Sequence, residues 1–159
     1  MKIVIRKSTD TETGISVVKS DGLIETFNVV GTKIHTVEST YSQYGILTYR
    51  WFGDTFDVEI KEILGGHALD AFVESKSSKL LIDASQWTTS WDGVNDWVRD
   101  HLMPRLQDVG LRRLAVFVNS EPVEDANKFA VERFESQHQN VNGSFRSEQS
   151  AVAWLKAHD

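Results

Sequence analysis

In the first third of the chain, short apolar runs alternate with polar breaks and show no helical period. Ile3–Ile5, Ile15–Val18, Leu23–Val30 and Ile34–Val37 are rich in β-branched residues. They are separated by Asp10–Gly14, Asp21-Gly22 and Gly31-Thr32. Asp-Gly between two such runs is a hairpin signal, because both residues tolerate the positive φ of a tight turn. Two or three antiparallel strands are expected here, or an arm that pairs with a partner. From Tyr44 the pattern sharpens. Ile46–Phe52 reads as a strand stopped at Gly53-Asp54, and Asp54 or Thr55 then supplies a side-chain oxygen to cap a helix over Phe56–Ser75. Ile60, Ile63, Leu64, His67, Ala71 and Phe72 form its inner stripe. Gly65-Gly66 interrupts that helix at a cost of about 1 kcal/mol per Gly relative to Ala, and close packing explains it better than a hinge.

Lys79–Asp83 is the next strand. A hydroxyl-rich turn follows, and then a helix over Trp91–Val109 with Val94, Trp97, Val98, His101, Leu102 and Leu106 at helical spacing. Pro104 falls inside that pattern and, lacking an N–H, should kink or restart the helix; Gly110 should end it. Leu114–Val118 is the most uniformly apolar run and reads as a strand buried on both faces. A helix over Val123–Gln137, a short strand at Ser144–Arg146 and a last helix over Glu148–Ala157, capped by Ser147, complete the chain. Strands alternating with helices over the last two-thirds imply parallel strands joined by right-handed crossovers. The expected fold is α/β: a mixed sheet, antiparallel in its N-terminal strands and parallel later, packed with about four helices. Residues 1–36 read as a β-rich extension and 37–159 as the α/β domain.

Composition removes several function classes. The 159 residues suffice for a core without cross-links, and the absence of Cys excludes disulfides, thiolate metal sites and a cysteine nucleophile. A reducing, cytoplasmic location fits that absence. Apolar runs are too short to cross a membrane, and the basic start MKIVIRKSTD lacks the apolar stretch of a signal peptide. A net charge of −6 with dispersed basic residues argues against nucleic-acid binding.

Ligands of α/β sheets tend to sit at the carboxyl ends of the strands. That rule gathers a candidate binding edge of Asp54, Asp83, Ser85, Trp87, Trp91, Asn119 and Ser120. Such residues also serve routinely as turn formers and helix caps. No nucleophile elbow, glycine-rich phosphate loop or metal-binding His spacing is present, so no catalytic residue, metal or cofactor is expected. His67 and His101 fall on apolar stripes and read as core-edge histidines. Trp51, Trp97 and Trp154 suit core filling. Trp87 and Trp91 bracket Thr88-Thr89-Ser90 and are expected to be partly exposed there, as a partner-binding patch.

The stretches KLLIDAS, LRRLAVFV and FRSEQSAVAWL, with the helices between them, ILTYRWFG and WVRDHLMPRL, resemble the SpoIIAA-like branch of STAS-type domains over about Val37–Leu155. That resemblance implies a non-enzymatic regulatory module that binds protein partners, and the N-terminal strands offer a route to self-association as a homodimer. Antagonists of anti-sigma factors in that family are switched by phosphorylation of a Ser or Thr at the start of the helix after the central strand. Asp83-Ala84-Ser85 resembles the family's strand-end Asp-x-Ser, and Ser90, Thr89 and Thr88 stand nearest the phosphorylated position. The family's Asp-Ser-Ser-Gly stretch is replaced here by Thr88-Thr89-Ser90-Trp91-Asp92-Gly93. The alternative is a binding module for a small amphipathic or lipid-like ligand. A hydrolase or transferase using strand-end carboxylates ranks third.

Overall fold

A computed structural model describes residues 3–6, 13–118 and 142–157. Its spine is one mixed sheet of eight strands among the described residues: β1 (Ile3–Arg6), β2 (Ser16–Ser20), β3 (Leu23–Phe27), β4 (Lys33–Glu38), β5 (Ile46–Gly53), β6 (Lys79–Trp87), β7 (Arg113–Phe117) and β8 (Asn142–Phe145). The strands lie side by side in chain order. β1 to β5 pair antiparallel and β5 to β8 parallel, as the sequence pattern implies. The N-terminal strands continue the same sheet across the boundary expected at residues 36 and 37, and Ile15 and Ile34 join the main core. Asp21-Gly22 makes the expected hairpin turn, with Gly22 at φ 70°.

The expected Phe56–Ser75 helix is two helices, α1 (Asp57–Gly65) and α2 (His67–Ser75), broken at Gly66. Gly65 meets the close-packing expectation: a Cβ there would lie 3.3 Å from the Trp97 ring. Neither Asp54 nor Thr55 caps α1. Phe56 is the N-cap, and the Glu59 carboxylate accepts its backbone N–H at 2.7 Å, a buried acid placed where the helix dipole is positive. After β6 a single 3₁₀ turn (Asp92–Val94) leads into α3 (Asn95–Trp97), a π-helical turn (Val98–Leu102) and α4 (Met103–Asp108). Pro104 sits in the first turn of α4. The Met103 N–H bonds the Val98 carbonyl five residues back, and this wider turn gives room to a ring that would strike a carbonyl in a regular helix. α5 (Glu148–Ala157) closes the described chain. The helix expected over Val123–Gln137 lies outside the described residues.

Strand alternation divides the core into two layers. Leu47, Tyr49, Trp51, Leu80, Ile82, Leu114 and Val116 face α1 to α4 with Ile60, Phe72, Leu102 and Leu106. Ile46, Leu81 and Ala115 face the other way and are covered by Ala151, Val152 and Leu155 of α5.

Within the larger layer, His35 of β4 is wholly buried against Trp51 (ring centroids 4.3 Å) and Tyr49 (5.3 Å). Neither of its ring nitrogens has a hydrogen-bond partner among the described residues. Burial, and secondarily the neighbouring His67, hold its pKa well below the ordinary 6.5. His67 meets the Thr26 hydroxyl at 2.7 Å. A histidine that stays neutral when folded takes up a proton only on unfolding, so its contribution is complete above pH 6.5 and falls as pH drops below that value. Urea denaturation between pH 7.5 and 5 should therefore show stability declining with acid, and His35→Leu should flatten that slope. An equally steep slope in the variant would place the acid sensitivity elsewhere.

Candidate ligand-binding site

A cavity of about 60 Å³ opens between the parallel half of the sheet and the α3–α4 segment. Its floor is Tyr49 of β5, Leu80 and Ile82 of β6, and Leu114 and Val116 of β7. Trp91, Asn95, Val98, Arg99, Leu102, Met103 and Leu106 roof it, and Leu64 of α1 closes one end. The floor follows from three parallel strands presenting alternate residues to the same face. The roof follows from the π-helical turn, which replaces the tight i to i+4 ladder where the helix passes over the sheet.

The lining is apolar with few polar groups. Tyr49 turns its hydroxyl away, donating to the Ala68 carbonyl at 2.5 Å, and burial pushes its pKa far up, so it stays neutral. Asn95 is 7 % exposed, and neither its amide nitrogen nor its amide oxygen has a hydrogen-bond partner among the described residues. Leaving such groups unpaired costs about 1–3 kcal/mol each, and Asn95 is one of the residues that line the cavity. Arg99 is half-buried at the same wall. It is bound by Asp100 through Nε at 2.7 Å and Nη2 at 2.8 Å, and by Asp96 at 3.4 Å.

The residues singled out from the sequence fall into three groups. Around the turn after β6, the Thr88 hydroxyl donates to the Asp54 carboxylate, and Thr88 and Asp54 are exposed. Thr89 Oγ1 lies 2.9 Å from Thr55 Oγ1 and accepts the Thr55 N–H at 3.3 Å, while Ser90 Oγ accepts the Asp92 N–H at 3.3 Å. Trp87 and Trp91 are not the partly exposed pair expected there. They are 2 % and 6 % exposed, because Trp87 stacks on Trp51 at 5.0 Å and donates its indole N–H to Thr55 at 2.9 Å, and Trp91 packs edge-on against Trp87 at 4.6 Å. Trp91 reaches the candidate site from inside, as cavity wall.

Asp83 and Ser85 belong to a second group. Asp83 is 5 % exposed and accepts from Arg50 at 2.7 Å and from the Ser85 hydroxyl and N–H at 2.5 and 2.9 Å. Arg50 also binds Glu38 at 2.8 Å and Glu148 of α5 at 2.5 Å, and Tyr41 donates to Glu148 at 2.7 Å. Burial alone would raise the Glu148 carboxyl, but the hydrogen bonds from Arg50 and Tyr41 outweigh it and hold the pKa below its ordinary value. Asp54 and Asp83 are thus held by different partners. Asn119 and Ser120 lie outside the described residues.

Asn95 was missed from the sequence, although a signal was there. It stands three, seven and eleven residues before Val98, Leu102 and Leu106, so it is the polar member of an apolar helical stripe. His101, placed on that stripe by spacing, is exposed, since the π turn rotates it outward.

No protein-family model, curated protein or solved structure matches the chain. Among the described residues no cluster of His, Asp and Glu is arranged to hold a metal, and no helix is long and apolar enough to cross a membrane.

Proposed function

We propose that this chain is a binding module for a small amphipathic molecule, held in the cavity between β5–β7 and the α3–α4 segment. One observation carries the reading: the buried, doubly unpartnered Asn95 amide in a wall that is apolar apart from Asn95 and Arg99. Small-molecule sites are typically built this way, with apolar walls supplying affinity and a few polar groups fixing orientation. The ligand's apolar part lies along Leu80, Leu114 and Val116, and its polar end meets Asn95.

Native against denaturing mass spectrometry of the chain isolated from its own cells should show a small molecule that is lost on denaturation. Val98→Phe, which places a ring at the half-buried edge of the cavity, should lower its occupancy at least tenfold while moving the melting temperature by only a few degrees. A bare wild-type chain that also fails to bind ethanol saturably, an alcohol small enough for the cavity, would overturn the reading.

A second reading has a specific observation in its favour. The residues quoted above resemble those of STAS-type domains, and Thr88, beside that stretch, is exposed. On this reading the chain is a regulatory protein-binding module, switched at Thr88, Thr89 or Ser90. A phosphate at Thr88 would face the Asp54 carboxylate that now accepts its hydroxyl, and repulsion would open the turn. The same mass spectra distinguish the two: phosphate on one of these three hydroxyls, with a stoichiometric protein partner and no small molecule, selects the second.

A further inference from the structure

A second cleft, of about 330 Å³, is lined by α2 and by strands β2 to β5. It is several times larger than the cavity under the α3–α4 segment and falls within the range of about 300–1,000 Å³ usual for small-molecule sites. Strand register sets its floor. Ile24 of β3 pairs with Val37 of β4 on one side and with Lys19 of β2 on the other, and residues paired in this way share a face of the sheet. Leu47 of β5 and Ala71 of α2 extend the apolar surface. Val37 and Leu47 belong to the main core, and Ile24 and Ala71 pack against it, so the floor is fixed in place.

The charges around this floor are complementary and separate. Among the described residues the cleft is lined by three ionised side chains, Lys19, Glu38 and Glu74. Glu38 is already engaged, accepting from Arg50 Nε at 2.8 Å and from the Thr36 hydroxyl at 2.9 Å. Lys19 and Glu74 have no hydrogen-bond or ion-pair partner among the described residues, and they are not paired with each other. Lys19 comes from the sheet, whereas Glu74 comes from the side of α2 that also presents Ala71 and Ser75, so the two charges stand on different walls. An anion alone would pair with Lys19 and meet the Glu74 carboxylate unopposed, and a cation alone would reverse the fault. A molecule carrying both charges satisfies both walls.

We infer that this cleft binds a small zwitterion with an aliphatic side chain, its carboxylate toward Lys19, its ammonium toward Glu74 and its apolar part on Ile24, Val37, Leu47 and Ala71. Two sources share this chemistry, a free apolar amino acid and a short apolar peptide with both termini free. The site shares no residue with the cavity, so neither reading stands or falls with the other.

Two-dimensional amide NMR titration of the full chain at pH 7.5 and low salt, with leucine, 3-methylbutan-1-amine and 4-methylpentanoate, tests this directly. The two analogues keep the aliphatic part and lack the carboxylate and the ammonium respectively. Leucine should shift the amides of Ile24, Val37, Leu47 and Ala71 saturably and leave those of Leu80 and Val116 in the cavity floor unmoved. Solvent-exposed ion pairs are weak, so leucine should bind about three- to fivefold tighter than either analogue, and high salt should shrink that margin. Lys19→Met should remove the advantage over the amine, and Glu74→Gln the advantage over the carboxylate. Either analogue binding as tightly as leucine, or a leucine preference unchanged in both variants, would overturn the inference. Absence of any saturable shift at the four amides, with all three probes, would overturn the site itself. Leucyl-leucine separates the two sources: tighter binding than leucine indicates a short peptide, and equal or weaker binding a free amino acid.

Discussion

Replacing Trp51 by Ala should cost about 3–5 kcal/mol, measured by urea denaturation at pH 7.5, and unfold a large fraction of the chain at 37 °C. Trp51 is 1 % exposed and lies at the centre of an aromatic row. Its ring stacks on Trp87 at 5.0 Å and meets His35 edge-on at 4.3 Å, and Trp87 passes the contact to Trp91 at 4.6 Å. This row joins β4, β5 and β6 to the segment that roofs the cavity, so a void at Trp51 lies against three strands that cannot all close on it. Aromatic pairs of this geometry contribute about 0.5–1.5 kcal/mol beyond their buried area. Trp51→Phe, which keeps a ring, should lose less than half as much as Trp51→Ala. Equal losses would mean that neither the retained ring nor the retained volume helps, and that the site requires the indole itself.

The second large effect is expected on the opposite face. Arg50→Met should destabilise the fold by about 2–3 kcal/mol near neutral pH, because it leaves Glu38, Asp83 and Glu148 facing one another without a cation. The figure sits below that for a fully buried ion pair because the Arg50 and Glu148 side chains are 17 % and 29 % exposed, which admits solvent screening. The pH dependence has a definite sign. A carboxyl whose folded pKa is depressed stabilises the fold above its unfolded pKa, and that stabilisation is lost as pH falls through the folded value. The wild type should therefore lose stability in acid below the ordinary Glu range, while the gap between wild type and Arg50→Met narrows as Glu148 protonates. Paired denaturation curves at pH 7.5 and 4 would decide it. A constant gap would show that Arg50 acts through its aliphatic stem and not its charge.

The sheet was readable from the sequence because its signal is local. Runs such as Ile46–Phe52 and Leu114–Val118 carry β-branched residues at strand period, and the switch from hairpin turns to helical connections marks where antiparallel pairing gives way to parallel. Connections were less legible. Gly65-Gly66 signalled an interruption but not that His67 would restart a helix and bring its ring to Thr26. The outward turn of His101 depends on a π turn, whose energy lies in tertiary packing and which leaves no period in the sequence. The site was harder still. Hydroxyls and carboxylates at strand ends drew attention by type, yet Thr89, Ser85 and Asp83 are engaged with neighbouring polar groups. The informative residue was one whose hydrogen bonds are missing, and a missing partner is a property of three-dimensional surroundings that Asn95 shows only as a polar interruption of an apolar stripe.

Because each strand pairs with the one that precedes it, the sheet can be laid down in the order in which the ribosome releases it. β2 to β5 each pair antiparallel with the strand before, so once Gly53 has been made the antiparallel half of the sheet is complete, and each later strand arrives at its edge. The C-terminal helix breaks this order. Glu148 reaches back to Arg50 and to Tyr41, across 98 and 107 residues of chain, and α5 covers Ile46, Leu81 and Ala115 only after β5, β6 and β7 have all been made. Until α5 arrives, the face formed by Ile46, Leu81 and Ala115 lacks that helix's apolar cover. A chain truncated before Glu148 would keep that face exposed and should be recovered mainly in chaperone-bound or aggregated form.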